Sequence, residues 1–208
     1  FRSDASHKYI RNYTERHGSL KVLGMQEPVE LEKVYTNVRF LEKINIRQFE
    51  SIQNLEQAYR QSSSFNSKNT LDSNGLQVAN EKQYLMVLGG PGVGKSTFLR
   101  KMGLEALKGN KGGYIHESIP VFIDLKRFET KEQINTKQAI VEEFSICGFP
   151  DAQTATERLL KSGKLLIILD GLDEVRGKVV NDVISHIHNF CDKYDKNRFI
   201  ISCRTAAY

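Results

Sequence analysis

Tyr84-Leu85-Met86-Val87-Leu88-Gly89-Gly90-Pro91-Gly92-Val93-Gly94-Lys95-Ser96-Thr97-Phe98-Leu99 is the stretch on which the fold turns. Tyr84 to Leu88 is an apolar run of strand length. Ser96 to Leu107 places Phe98, Leu99, Met102 and Ala106 at the spacing of one helical face. Between strand and helix, residues 89–96 satisfy the pattern GxxxxGK[ST]. A loop that wraps a phosphate turns its N–H groups inward, through backbone conformations that glycine adopts cheaply. The helix that follows offers unbonded N–H groups and a positive dipole end to the same anion. Lys95 then reaches the β- and γ-phosphates of a nucleotide, and the Ser96 hydroxyl is a hard oxygen suited to Mg²⁺. The residues expected around the phosphates are therefore Gly89, Gly90, Pro91, Gly92, Val93, Gly94, Lys95, Ser96 and Thr97.

Downstream, strands and helices alternate. Val121 to Leu125, Leu165 to Leu169 and Phe199 to Cys203 read as strands. Lys137 to Ile146, Asp151 to Lys161 and Lys178 to Lys193 read as helices, with Asp151 as N-cap of the second and Val179, Val183, Ile187, Phe190 and Cys191 buried by the third. Leu165 to Leu169 is apolar throughout, as a parallel strand covered on both faces is. Such alternation implies right-handed crossovers and a parallel sheet between helices, an α/β fold.

The strand Leu165 to Leu169 ends in Asp170, and parallel strands deliver their C-terminal ends to the ligand crevice. Asp170 is thus the second expected Mg²⁺ residue, beside Ser96. The continuation is Gly171-Leu172-Asp173-Glu174. Where many hydrolytic ATPases with this loop place a glutamate directly after the metal aspartate, Gly171 stands here. Asp173 or Glu174 reaches an attacking water only if Gly171 lets the chain bend back, which suggests slow rather than motor-like hydrolysis. As a plainer alternative, both acids simply begin the next helix. Arg204, at the C-terminal end of the last strand, is placed for a charge-assisted contact to phosphate, with a surface ion pair as the competing reading.

Before this core, Ser3 to His17 reads as a helix carrying Tyr9, Ile10 and Tyr13, stopped by Gly18. Lys21 to Met25 is a short apolar stretch. Val34 to Phe40 reads as a strand or an extended segment, and Ile44 to Tyr59 as a helix. Gln61 to Asn74 is rich in Ser and Asn, closes with Asn74-Gly75, and reads as a surface loop or linker. The 208 residues carry a net charge of +5, but the basic residues are scattered, so neither specific nucleic acid nor membrane binding is expected. No apolar run is long enough to span a bilayer. Cys147, Cys191 and Cys203 lack metal-ligand spacing and read as reduced core residues, which suits the cytoplasm. His186 and His188, two apart on a helix, point different ways and are read, like His116, as surface or packing residues.

Taken together, GGPGVGKST, LLIILDGLDEV and FIISCRTAAY resemble the NACHT module of the signal-transduction ATPases, a group that includes NOD-like receptors and bacterial NACHT proteins. The resemblance covers residues 31–208, with residues 1–30 as a helical linker segment. It implies a sheet of order 5-1-4-3-2, with the fifth strand and the following helical, winged-helix and sensor domains absent from this stretch. It also implies ATP/ADP with Mg²⁺, and Arg204 as the sensor of the γ-phosphate. Tyr35 and Thr36 become candidates for adenine and ribose contacts, though the segment Val34 to Arg39 reads equally as an ordinary edge strand. No NKxD motif for guanine occurs, which favours ATP. The implied function is a switch in cytoplasmic signalling or antiviral, innate-immunity-like defence that self-associates through its nucleotide-binding domain. Three other readings remain. A non-hydrolysing binding module needs only the loop, and a small-molecule kinase needs an Arg-dense lid that the sequence lacks. An AAA-type motor needs a glutamate where Gly171 stands.

Overall fold

The computed structural model describes residues 2–20, 27–35, 39–40, 73–129, 134–175 and 179–205. At its centre lie four strands, β1 (Tyr84–Gly89), β2 (Ile119–Asp124), β3 (Leu165–Asp170) and β4 (Arg198–Arg204). All pair in parallel, in the order β1-β4-β3-β2. This is the 1-4-3-2 portion of the expected order. Among the described residues, six helices of seven residues or more accompany the strands: α1 (Arg2–His17), α2 (Gly75–Glu81), α3 (Lys95–Leu107), α4 (Thr136–Ile146), α5 (Ala152–Ser162) and α6 (Val179–Lys193). The chain is a P-loop-type α/β fold with a helix packed on it from the N-terminal side.

The strands differ in surroundings. β3 is buried from Leu165 to Leu169, which is why its sequence is apolar without alternation. β1 is paired only with β4 among the described strands, and Tyr84, Met86 and Leu88 are exposed on alternate positions. The register Leu85↔Ile200 and Ile168↔Ile200 with Phe122↔Ile168 defines one face of the sheet. Two residues further along, Val87, Ser202, Asp170 and Asp124 continue that face, and Gly89 and Arg204 follow. A Cβ on Gly103 of α3 would lie 3.3 Å from Ile168, so α3 covers this face too. The sheet thus brings Asp170, Ser202 and Arg204 to the side on which the glycine-rich loop enters α3.

Helix α1 joins the same core. Tyr9 and Tyr13 are buried, Tyr9 Oη donates to the Pro120 carbonyl, and Tyr9 packs edge-on against Phe144 and Phe149. On α6, Val183, Ile187 and Phe190 are buried at the expected helical spacing, whereas Val179 and Cys191 are only half-buried at the margin of its stripe. Cys147 and Cys203 are buried, and burial raises the pKa of all three thiols.

Several expectations change. Asp151 sits just before α5, but its backbone is left-handed (φ 47°) and its side chain makes no capping bond. A side-chain cap needs an extended residue at that point, and the turn from Gly148 denies it. Leu31–Val34 is one helical turn, so Val34 is not part of a strand, and among the described residues of the stretch 34–40 the pair Arg39–Phe40 lies antiparallel to Ser73–Asn74. Asn74-Gly75 opens a helix: Asn74 Oδ1 accepts from Leu76 N–H at 3.0 Å. The far end of α2 is held by Arg198, which donates to the carbonyls of Ala79, Asn80 and Lys82. Lys21 to Met25, Ile44 to Tyr59 and residues 61–72 lie outside the described residues.

Candidate functional site

The loop between β1 and α3 has the shape its sequence requires. Gly94, which precedes α3, has φ 89°, a left-handed value that a side chain would strain. Lys95 Nζ donates to the carbonyls of Gly89 (2.9 Å) and Gly90 (2.8 Å), so its ammonium lies across the loop that it is expected to serve. Ser96 is exposed on the first turn of α3, and Thr97 beside it is half-buried. Pro91, Gly92 and Val93 form the exposed tip. The N–H groups of that first helical turn have no carbonyl a turn earlier in the helix to bond, which is the usual basis of phosphate binding.

Register places the other candidates along the same edge. Gly89 pairs with Arg204 across β1 and β4, and Asp170 with Asp124 across β3 and β2. At ordinary strand spacing, Asp170 stands about 10 Å from the loop strand, two strands over. Ser202 Oγ donates to Asp170 Oδ1 at 2.5 Å and accepts from Gly171 N–H at 2.8 Å. Ser202 is buried, so one hydroxyl fixes both the carboxylate and the start of the turn that follows. Sequence reasoning missed this residue. Its signal was faint: a small polar side chain in an apolar strand, two positions before Arg204 and therefore on the same face.

Gly171 has φ 80°, and residues 172–174 form a single 3-10 turn closed by Glu174 N–H to Gly171 O at 2.9 Å. The chain bends back as the two acids require, but they go different ways. Asp173 Oδ1 accepts from the Arg204 main-chain N–H at 2.8 Å, and its Oδ2 forms an ion pair with the same residue, 2.8 Å from Nε. Its side chain is only 7% exposed. Glu174 is exposed and folds over Gly171, where an added Cβ would meet its carboxyl carbon at 3.3 Å.

Tyr35 is half-buried on the flank of α3, its ring 5.7 Å from Lys101 Nζ. Lys101 is six residues past Lys95, about 9 Å along the helix, so the structure sets Tyr35 against the body of α3 rather than its phosphate end. Thr36 lies outside the described residues. His186 packs as expected and gains a specific role, its Nε2 accepting from Thr136 N–H (3.2 Å) at the start of α4. Burial lowers its pKa.

The NACHT domain family matches residues 83–208, a span that holds all four strands, the glycine-rich loop and the acidic turn. The chain belongs to the NACHT family. No curated protein matches it. As a NACHT domain it is a nucleotide-binding module of the P-loop NTPase class. No helix among the described residues is long and apolar enough to cross a membrane.

A divalent metal suits the donors of this NACHT domain. Ser96 offers an exposed hydroxyl, and Asp170 a carboxylate with one oxygen already engaged by Ser202. One or two hard oxygens from protein, completed by phosphate and water, is the usual provision for Mg²⁺. When bound, the metal would neutralise charge on the β- and γ-phosphates.

Proposed function

We propose that this NACHT domain is an ATP-binding, slowly hydrolysing molecular switch. The supporting observation is the alignment, on one edge of the sheet, of the loop Gly89 to Ser96, Asp170 and Arg204, with Gly171 bending the chain so that Glu174 lies back over it. Lys95 and the first-turn N–H groups of α3 would hold the β- and γ-phosphates. Ser96 and Asp170 would hold Mg²⁺, and Arg204 would meet the γ-phosphate. Glu174 or Asp173 would orient the attacking water. With Gly171 directly after Asp170, that carboxylate is displaced along the chain, which favours slow turnover.

In this reading ADP and ATP stabilise different arrangements through their different contacts to Arg204, and the difference drives self-association in cytoplasmic signalling or defence. Further domains would supply the sensor and the effector.

The test is to denature the purified chain and identify the released nucleotide, then to follow phosphate release from Mg·ATP. Adenine nucleotide and slow turnover abolished by Glu174→Gln support the switch. Guanine nucleotide overturns the base assignment, and adenine binding with no turnover leaves a binding module alone.

A further inference from the structure

The two acids of Asp173-Glu174 are chemically alike, yet the structure gives them different neighbours. Asp173 is nearly buried, and both its oxygens are engaged by one residue: Oδ1 by the Arg204 main-chain N–H and Oδ2 by Arg204 Nε. Glu174 is exposed and lies back over Gly171. A carboxylate that is only 7% exposed and has both oxygens turned to an arginine presents little surface to an attacking water. Resting on the reading of Arg204 as the residue that meets the γ-phosphate, we infer that Asp173 is a positioning residue for Arg204 and does not itself orient the water.

The geometry explains how. Arg204 ends β4 directly beside Gly89, the first residue of the loop. Its side chain is 52% exposed, so without a tether it would sample many rotamers. A guanidinium carries five N–H donors in a fixed plane. Asp173 pairs with the guanidinium on its Nε side, which leaves the four donors on the terminal nitrogens for phosphate oxygens. The pair is therefore compatible with phosphate binding. Because Oδ1 also holds the Arg204 main-chain N–H, backbone and side chain are fixed by the same carboxylate. An arginine already oriented gives up less side-chain freedom when phosphate arrives, and only a ligand with a γ-phosphate gains from it.

Three positions within five residues of sequence thus divide the work: Asp170 with Ser202 toward the metal, Asp173 toward Arg204, and Glu174 toward the water. Asp173→Asn is the sharpest variant. It keeps an acceptor for the main-chain N–H and removes the charge that holds Nε.

The experiment is calorimetric titration of the chain with Mg·AMP-PNP and with Mg·ADP, for the parent, Asp173→Asn, Arg204→Ala, the double variant and Glu174→Gln, with thermal unfolding of each as a control. Asp173→Glu serves as the second variant should Asp173→Asn fold poorly. The expected result is that Asp173→Asn weakens AMP-PNP on the order of tenfold and leaves ADP unchanged. The double variant is then no worse than Arg204→Ala, and Glu174→Gln keeps the parental ratio of the two affinities. If Arg204→Ala lowers the AMP-PNP-to-ADP ratio while Asp173→Asn does not, the positioning role is overturned and the sensor reading stands. Additive losses in the double variant overturn it as well, since Asp173 would then act on something other than Arg204. Equal losses of both nucleotides in Arg204→Ala remove the sensor reading and the inference with it.

Discussion

Helix α3 meets two polar environments within three turns, and they follow opposite rules. At its first turn the polar groups stay reachable: Ser96 is exposed, and Lys95 is held by two loop carbonyls that a phosphate can replace as its partners. One turn further on, the helix faces α1 across a packed seam. There Tyr13 Oη, His17 Nε2 and Arg100 Nε are buried without a hydrogen-bond partner among the described residues. Tyr13 lies tilted against His17 at 4.5 Å, His17 tilted against Phe122 at 4.8 Å, and Arg100 lies 5.8 Å from the Phe122 ring. A ligand site keeps its polar groups in partnerships that can be exchanged, whereas the seam leaves polar atoms unmet for the sake of ring packing, at a cost of about 1–3 kcal/mol for each such group.

The largest expected effect comes from Gly103, whose missing side chain lets α1 approach: an added Cβ would sit 2.1 Å from Tyr13 Oη. Gly103→Ala should therefore destabilise the fold by about 1–3 kcal/mol in urea unfolding, with nucleotide affinity little changed. A collapse of nucleotide affinity in a still-folded variant would show that seam and site are one unit.

A pH series sharpens the contrast. Burial and the nearby Arg100 and Arg16 push His17 down from its ordinary 6.5 to about 3. Between those values the unfolded chain binds a proton that the folded chain does not, so stability falls as pH drops through this window and is flat above it. The slope for one such group is about 1.4 kcal/mol per pH unit. His186, also lowered by burial, adds in the same direction. His17→Phe keeps a ring between Tyr13 and Phe122 and should flatten the slope measured between pH 6 and 5; an unchanged slope would mean that His17 is protonated in the folded chain.

At the other environment, Ser202→Ala removes the hydroxyl shared by Asp170 and Gly171. The Mg²⁺ concentration needed for half-maximal nucleotide binding should rise on the order of tenfold, while binding without Mg²⁺ stays as it was. An equal loss with and without metal would place Ser202 in the fold rather than in the metal site. The smallest effect is Tyr13→Phe, which deletes a buried hydroxyl that has no hydrogen-bond partner among the described residues and should raise stability by up to about 1 kcal/mol in the same urea assay.

What was legible in the sequence was what is local. The loop from Gly89 to Ser96 declares itself because eight consecutive residues carry both the turn and the chemistry. Each strand of the sheet was found for the same reason. What sits beside each strand was not legible. Tyr84 to Leu88 reads as apolar as Leu165 to Leu169, yet three of its five residues are exposed where β1 borders no second described strand. Apolarity records what a strand can bury, and pairing order decides what it does bury. The strand order itself came from family resemblance. Ser202 and the Asp173–Arg204 pair escaped because they join segments about thirty residues apart, whose meeting depends on the β3–β4 register. Asn74-Gly75 was not legible as a helix start for the converse reason: the dipeptide serves a turn or a helix start equally well, and Arg198, far along the chain, holds the end of the helix it opens. Tyr35 came from resemblance alone, and the structure sets it on the flank of α3.

Nucleotide binding at the glycine-rich loop is tested by equilibrium titration of the chain with Mg·ATP, beside the same titration of Lys95→Ala. Saturable binding of one nucleotide per chain is expected. Lys95→Ala should lose affinity on the order of a hundredfold or more, with the unfolding transition unmoved. Equal affinity in the two proteins, or no binding by the folded parent, would overturn the assignment of the loop.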